Sequence, residues 1–164
     1  VLNKTATLSS LGQLWGVIYA GNLIGGFLFS FLLVFLMPAI GTISPEAIEQ
    51  LALKIVKYDW QIMLCSGIVA GWLMGLLSWL VTSAQETISR IFIVILITTA
   101  IGLGGLPHAI VGSIEVFSGA LISNEIGAKD YFHFQIWTTL GNTVGGAVFV
   151  GILKYTHMIT KNSN

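Results

Sequence analysis

The sequence predicts an all-α membrane protein, and three observations carry that reading. Hydrophobic residues make up 55% of the chain and charged residues only 9%, whereas a soluble domain carries roughly a quarter charged residues. A water-facing surface of ordinary polarity cannot be built from so few charges, and the mean hydropathy of +0.88 agrees. The charges are also missing from long runs. None falls from Gln13 to Ser44, none from Trp60 to Gln85, and none from Ile91 to Ile114 except the titratable His108; from Tyr131 to Leu153 the only candidate is His133. Apolar runs of about 18 or more residues without charge read as membrane spans.

Four such regions define one transmembrane domain over residues 1–164. The first runs from about Leu11 to Met37 and meets Pro38, where a helix is expected to stop. The second covers Trp60 to Ser83, the third Ile91 to Ile122, and the fourth Phe132 to Tyr155. Between the first two, Ser44-Pro45-Glu46 is a helix start, with Ser as N-cap, Pro in the first position and an acidic first turn. Ile48, Leu51, Ala52, Ile55 and Val56 then recur at helical spacing among Glu49, Lys54 and Lys57. This predicts an amphipathic helix over about 45–57 lying at the membrane surface.

The third region is too long for one crossing. At ~1.5 Å per residue it makes a rod of roughly 48 Å, against a hydrocarbon core of ~30 Å. It is interrupted at residues 102–107, Gly-Leu-Gly-Gly-Leu-Pro, which predicts two half-helices with non-helical backbone between them. Such backbone is tolerated at membrane depth only where protein buries it or water fills a cavity beside it. Gly104, Gly105 and Pro107 are therefore candidate pathway residues. Pro107 in the first helical position would place His108 in the first turn of the second half-helix, where unpaired N–H groups and the positive dipole end attract anions.

An internal repeat supports a transport architecture. Gly21-Asn22-Leu23-Ile24-Gly25-Gly26 returns as Gly141-Asn142-Thr143-Val144-Gly145-Gly146, each copy preceded by a tryptophan, Trp15 or Trp137. The copies lie three spans apart, so their membrane directions are opposed, as in inverted transporter repeats. A three-span repeat is complete here only in its second copy. Two spans are then expected upstream of Val1, one of them broken; the start Val1-Leu2-Asn3-Lys4, with neither initiator Met nor signal pattern, fits that expectation. Pairs such as Gly12/Gly16, Gly21/Gly25, Gly67/Gly71 and Gly141/Gly145 have the spacing that lets helix backbones approach closely.

These residues resemble the formate/nitrite transporter family. The resemblance rests on the paired Gly-Asn-x-[Ile/Val]-Gly-Gly spans, the broken helix with a histidine just after its break, and Gly67-Ile68-Val69-Ala70-Gly71-Trp72-Leu73 with Trp79. It covers the whole chain as the family's third to sixth spans. It implies an aquaporin-like fold, one pore per subunit and a homopentameric ring. His108 matches the family's pore histidine, and Asn22 and Asn142 match its span asparagines. The family pattern Glu-His-x-x-x-Asn is replaced here by Pro107-His108-Ala109-Ile110-Val111-Gly112, and Gly71 stands where an asparagine is expected. This stretch is similar to a less-characterised branch of the family.

Taken together, these features predict a channel or transporter for small monovalent anions, weak acids such as formate or nitrite, whose passage His108 assists with protons. An imidazole with an unperturbed pKa near 6.5 can lend a proton to such an anion, and a neutral acid crosses an apolar constriction far more cheaply than an unpaired charge. A channel for water, ammonia or other neutral solutes on the same fold is the alternative, favoured by the space that Gly71 and Gly112 leave. Glu115 is the only formally charged residue deep in a span. It follows His108 by two helical turns with Gly112 between them, ~10 Å along the axis, and either relays protons, repels anions or bonds a neighbouring helix. Asn22 and Asn142 either cap the broken helix or line the pore. Phe27, Phe29, Phe31, Leu76 and Phe149 are available for constrictions, with packing or lipid contact as the plainer role, and His133 and His157 sit near span ends.

Several classes are excluded. Seven basic residues balance seven acidic ones, so no basic surface argues for nucleic acid. The lone Cys65 forms no disulfide framework and is expected as a buried thiol. Three scattered histidines make no metal site, no cofactor motif appears, and without a nucleophile–base pair or phosphate loop no enzyme is expected. Lys4, Arg90, Lys154 and Lys161 outnumber Lys54, Lys57 and Lys129 by one, from which a cytoplasmic C-terminus is expected; the family resemblance implies the same orientation and a bacterial inner membrane.

Overall fold

A computed structural model describes residues 7–151. All regular structure among these is helical: α1 (Leu8–Ala39), α2 (Pro45–Val56), α3 (Trp60–Ser83), α4 (Thr87–Leu103), α5 (Ala109–Ile122) and α6 (Ala128–Thr143), which widens into π-helical winding over Val144–Val150. Two helices, α1 and α3, are long and apolar enough to cross a membrane. At ~1.5 Å per residue, the 17-residue α4 and the 14-residue α5 rise only about 26 and 21 Å, short of a full crossing. Tyr155, His157 and the cations Lys4, Lys154 and Lys161 lie outside the described residues.

Helix ends follow backbone hydrogen bonding, and it overrides hydropathy at several points. α1 starts before its apolar run because Thr7 and Ser10 form a reciprocal capping box, each side-chain oxygen accepting the other's backbone N–H at 3.1 Å. Its other end corrects the expectation from proline. The helix passes through Pro38 and stops at Gly41, whose φ of 70° lets its N–H reach the Pro38 carbonyl while the Thr42 N–H reaches Met37. α2 starts at the Ser44 cap, where the Ala47 N–H donates to Oγ at 3.2 Å. There the Glu46 carboxylate is held below its ordinary pKa by its own backbone N–H and by the Ser44 hydroxyl. α6 begins four residues ahead of its apolar run because the Asp130 carboxylate accepts the Gly127 N–H at 2.9 Å.

The chain forms two packing units. The first contains Val1–Lys54 with Ile110–Tyr131. Its core is the contact of α1 with α5: Gly26 lies against Ile114, and the fully buried Ser30 hydroxyl donates to the carbonyls of Gly26 and Ile114 at 2.9 and 3.2 Å. Phe27, Phe31, Phe117 and Tyr131 pack alongside in tilted and edge-to-face pairs, with ring centroids 4.6 Å apart for Phe27 and Phe117. Each such pair contributes about 0.5–1.5 kcal/mol beyond its buried area. α2 sits on this core through Ala52, which meets Gly119 so closely that no side chain fits there.

The second unit contains Ile55–Ala109 with Phe132–Asn164. Here α3 and α6 touch backbone to backbone. A Cβ on Gly141 would lie 2.5 Å from the Leu64 carbonyl oxygen, one on Gly67 would lie 3.3 Å from that of Thr138, and ones on Gly71 and Gly145 would overlap Asn142 and Ile68. Trp60 and Trp137 stack at 4.8 Å beside the seam. The first copy of the repeat is placed differently. Around Gly12, Gly16, Gly21 and Gly25 nothing among the described residues approaches within 4 Å. Cys65 is exposed on α3, contrary to the expectation of a buried thiol, because the packed face of that helix carries the glycines instead.

α4 ends in the same way as α1. Gly105, with φ of 58°, sends its N–H to the Gly102 carbonyl at 3.1 Å, and the Leu106 N–H reaches the Ile101 carbonyl at the same distance. The non-helical stretch is therefore 104–108, with Gly102 and Leu103 still in the helix. Gly105→Ala should destabilise the protein by about 1 kcal/mol, because a Cβ is strained at positive φ. Gly102→Ala, at a helical position with open space around it, should be neutral or stabilising by up to ~1 kcal/mol. Thermal unfolding in detergent checks the pair.

Candidate functional site

The site is the interruption between α4 and α5, and one side chain organises it. Asn142 reaches the break from α6. Its Oδ1 accepts the Ala109 N–H at 2.8 Å, and its Nδ2 donates to the Pro107 carbonyl at 3.2 Å and to the Gly67 carbonyl of α3 at 2.9 Å. The Pro107 carbonyl belongs to the peptide entering His108, and the Ala109 N–H to the peptide leaving it. A single carboxamide therefore holds both peptide groups that flank the histidine. An amide suits this task because it carries an acceptor and two donors.

The arrangement also explains where α5 begins. The first N–H groups of a helix need partners from outside it, and a preceding residue's own side chain usually supplies one. At this break the cap comes from another helix, which lets α5 start at Ala109 with His108 in the capping position. This shifts the histidine two places from the sequence expectation, out of the first turn, with Pro107 ahead of it rather than in the first helical position. Pro107 is buried and His108 half-buried. The α3–α6 glycine seam makes the third bond possible: only because Gly67 and Gly71 lie against residues 138–142 does the Gly67 carbonyl come within reach of Asn142.

Of the sequence candidates, Gly104, Gly105, Pro107, His108 and Asn142 are brought together in one packing unit. Gly104 caps the C-terminal end of α4, its N–H closing a helical bond to the Ala100 carbonyl at 3.0 Å. Asn22, Gly112 and Glu115 belong to the other unit. Asn22 is exposed and donates to the Ile18 carbonyl of its own helix at 2.9 Å, so the two asparagines of the repeat have different partners in this chain. Gly112 is buried and Glu115 half-buried on α5. The sequence reading missed Gln135, a buried amide on α6 whose Nε2 donates to the Ala109 carbonyl at 3.3 Å. Its signal was available, since it stands seven residues before Asn142, two helical turns along the same face.

A break of this kind, a histidine in its capping position and an asparagine from a Gly-Asn-x-x-Gly-Gly helix tying it together coincide with a match to the formate/nitrite transporter family over residues 1–156. The chain belongs to that family. Formate/nitrite transporters are membrane channels and transporters, so this is an integral membrane protein and not an enzyme. Among its relatives, the inner membrane protein YfdC of Escherichia coli K12 is 27% identical over 165 residues, covering 96% of this chain and 51% of YfdC. The nitrite transporter NirC of the same strain is 25% identical over 149 residues, 87% of this chain and 55% of NirC. The formate channel FocA, also of that strain, is 23% identical over 180 residues, 96% of this chain and 63% of FocA. The chain thus spans about half the length of the curated relatives it matches.

Within this formate/nitrite transporter chain, Asn142→Leu should cost roughly 2–4 kcal/mol, because it leaves the buried Ala109 N–H and two carbonyls short of a partner. Asn22→Leu, at an exposed position, should change stability by less than about 0.5 kcal/mol. Unfolding midpoints of the two variants in the same detergent test the contrast.

Proposed function

We propose that the protein conducts small monovalent anions of the formate and nitrite type across a bacterial inner membrane, and that His108 assists their passage with protons. The observation that carries this reading is the bridging of both His108 peptide groups by Asn142. It holds an imidazole at the positive end of the α5 dipole, beside backbone that has left the helix. An arriving anion meets favourable potential there, and a proton shared with the imidazole lowers the cost of crossing the apolar wall. The names of NirC and FocA point to the same class of substrate.

The rest of the assembly follows the family resemblance. Five copies form a ring of aquaporin-like subunits, each with its own pore built from two inverted three-span repeats, and the C-terminus faces the cytoplasm. In that pore Gly104, Gly105, Pro107 and Gly112 supply backbone and space, Asn142 supports the helix break, Asn22 lines the pathway, and Glu115 tunes selectivity or relays protons.

His108→Phe should reduce proton-linked formate uptake into proteoliposomes by about 10- to 100-fold, the worth of one hydrogen bond to a charged group. Uptake equal to wild type would refute the role of the imidazole. Liposome swelling with neutral solutes, in place of anion currents, would favour a neutral-solute channel on the same fold.

A further inference from the structure

Asn142 holds the peptides on either side of His108, but the next peptide along is held by a different side chain. Gln135 is 6% exposed, and its Nε2 donates to the Ala109 carbonyl. That carbonyl belongs to the first residue of α5, so a helical N–H one turn on is its ordinary partner. The Gln135 bond goes to its second lone pair and is not needed to satisfy the group. A buried carboxamide at membrane depth is costly where leucine would pack as well. What this bond adds is direction. Ala109 is tied to α6 at both ends, its N–H to Asn142 and its carbonyl to Gln135, which fixes the orientation of the residue itself. His108 is the residue immediately upstream.

We infer that Gln135 is a positioning residue for His108: with Asn142 it fixes the backbone on either side of the histidine and so the aim of the imidazole. The inference rests on the proton-handling role proposed for His108. A neighbour on the same face supplies a control. Thr138, fully buried three residues after Gln135, has a hydroxyl with no hydrogen-bond partner among the described residues, so losing that hydroxyl removes no bond.

The test is formate uptake into proteoliposomes across a range of pH. Gln135→Met keeps the volume and removes the donor; uptake should fall by roughly 2- to 10-fold, the range of one neutral hydrogen bond. Gln135→Glu sets a carboxylate oxygen against the Ala109 carbonyl once it ionises and should then impair uptake similarly. Burial raises that carboxyl group's pKa above its ordinary range; below the raised pKa its O–H donates to the carbonyl, and uptake recovers relative to wild type at the same pH. The titratable group beside Ala109 is His108, present in every variant. Of the elements in this unit, α3 carries only Cys65, α4 only Arg90, and α6 from Phe132 onward only His133. Thr138→Val should match wild type throughout.

Wild-type uptake in Gln135→Met, or a Gln135→Glu profile parallel to wild type at every pH, would overturn the positioning role. So would a loss in Thr138→Val equal to that in Gln135→Met, since generic packing would then account for both. His108→Phe assayed alongside separates the two levels. If it loses uptake while Gln135→Met keeps it, only the Gln135 role falls; if it keeps uptake, the reading beneath falls.

Discussion

The site depends on one carboxamide. Asn142 uses both of its N–H donors and its oxygen near the break, taking the N–H that follows His108 and giving one N–H to the carbonyl before it and another to α3. Remove it and the start of α5 loses its cap, the unwound chain loses its anchor, and α6 loses a polar tie to α3. Everything functional that can be said of the histidine passes through this side chain, because it fixes the backbone from which the imidazole projects.

The glycine seam is the condition for that bond set. Asparagine is short, and it can serve α3 and the break together only if α3 and α6 approach to backbone contact. Gly67, Gly71, Gly141 and Gly145 provide the approach, and at Gly71 and Gly145 even a methyl group would overlap the facing chain. The departure from the usual family pattern at Gly71 thus has a mechanical reading in this chain: an asparagine there would need the space that the Asn142 backbone occupies. The helix widens into π-helical winding directly after Thr143, so the seam continues past the site with altered geometry; π-helical winding frequently accompanies functional positions in helices.

Composition and charge spacing were enough to announce a helical membrane protein, and the Gly-Leu-Gly-Gly-Leu-Pro run was enough to announce a broken helix. Both are properties of local sequence that need no tertiary partner. The repeat drew attention to Asn142 but left capping and pore lining open, since the choice depends on which helix lies opposite. The helix starts at Leu8 and Ala128 were less legible because side-chain caps, Thr7 with Ser10 and Asp130 with Gly127, extend helices beyond their apolar runs. Pro38 misled for a related reason: a proline near a helix end removes one bond, whereas the positive φ of Gly41 is what turns the chain away. Gln135 went unread because its spacing from Asn142, two turns along one face, carries meaning only once that face is known to meet the break. The equal motifs around Asn22 and Asn142 gave no hint that one amide would bond within its own helix and the other across three segments.

The chemistry of the supporting residue also sets a boundary on how the site responds to acidity. A carboxamide neither gains nor gives up a proton in the physiological range, so it offers the same acceptor and the same donors whatever the medium. The imidazole can therefore change its charge while the frame that carries it keeps its shape. Had a carboxylate or a second histidine taken that place, its own titration would have reworked the mounting as well.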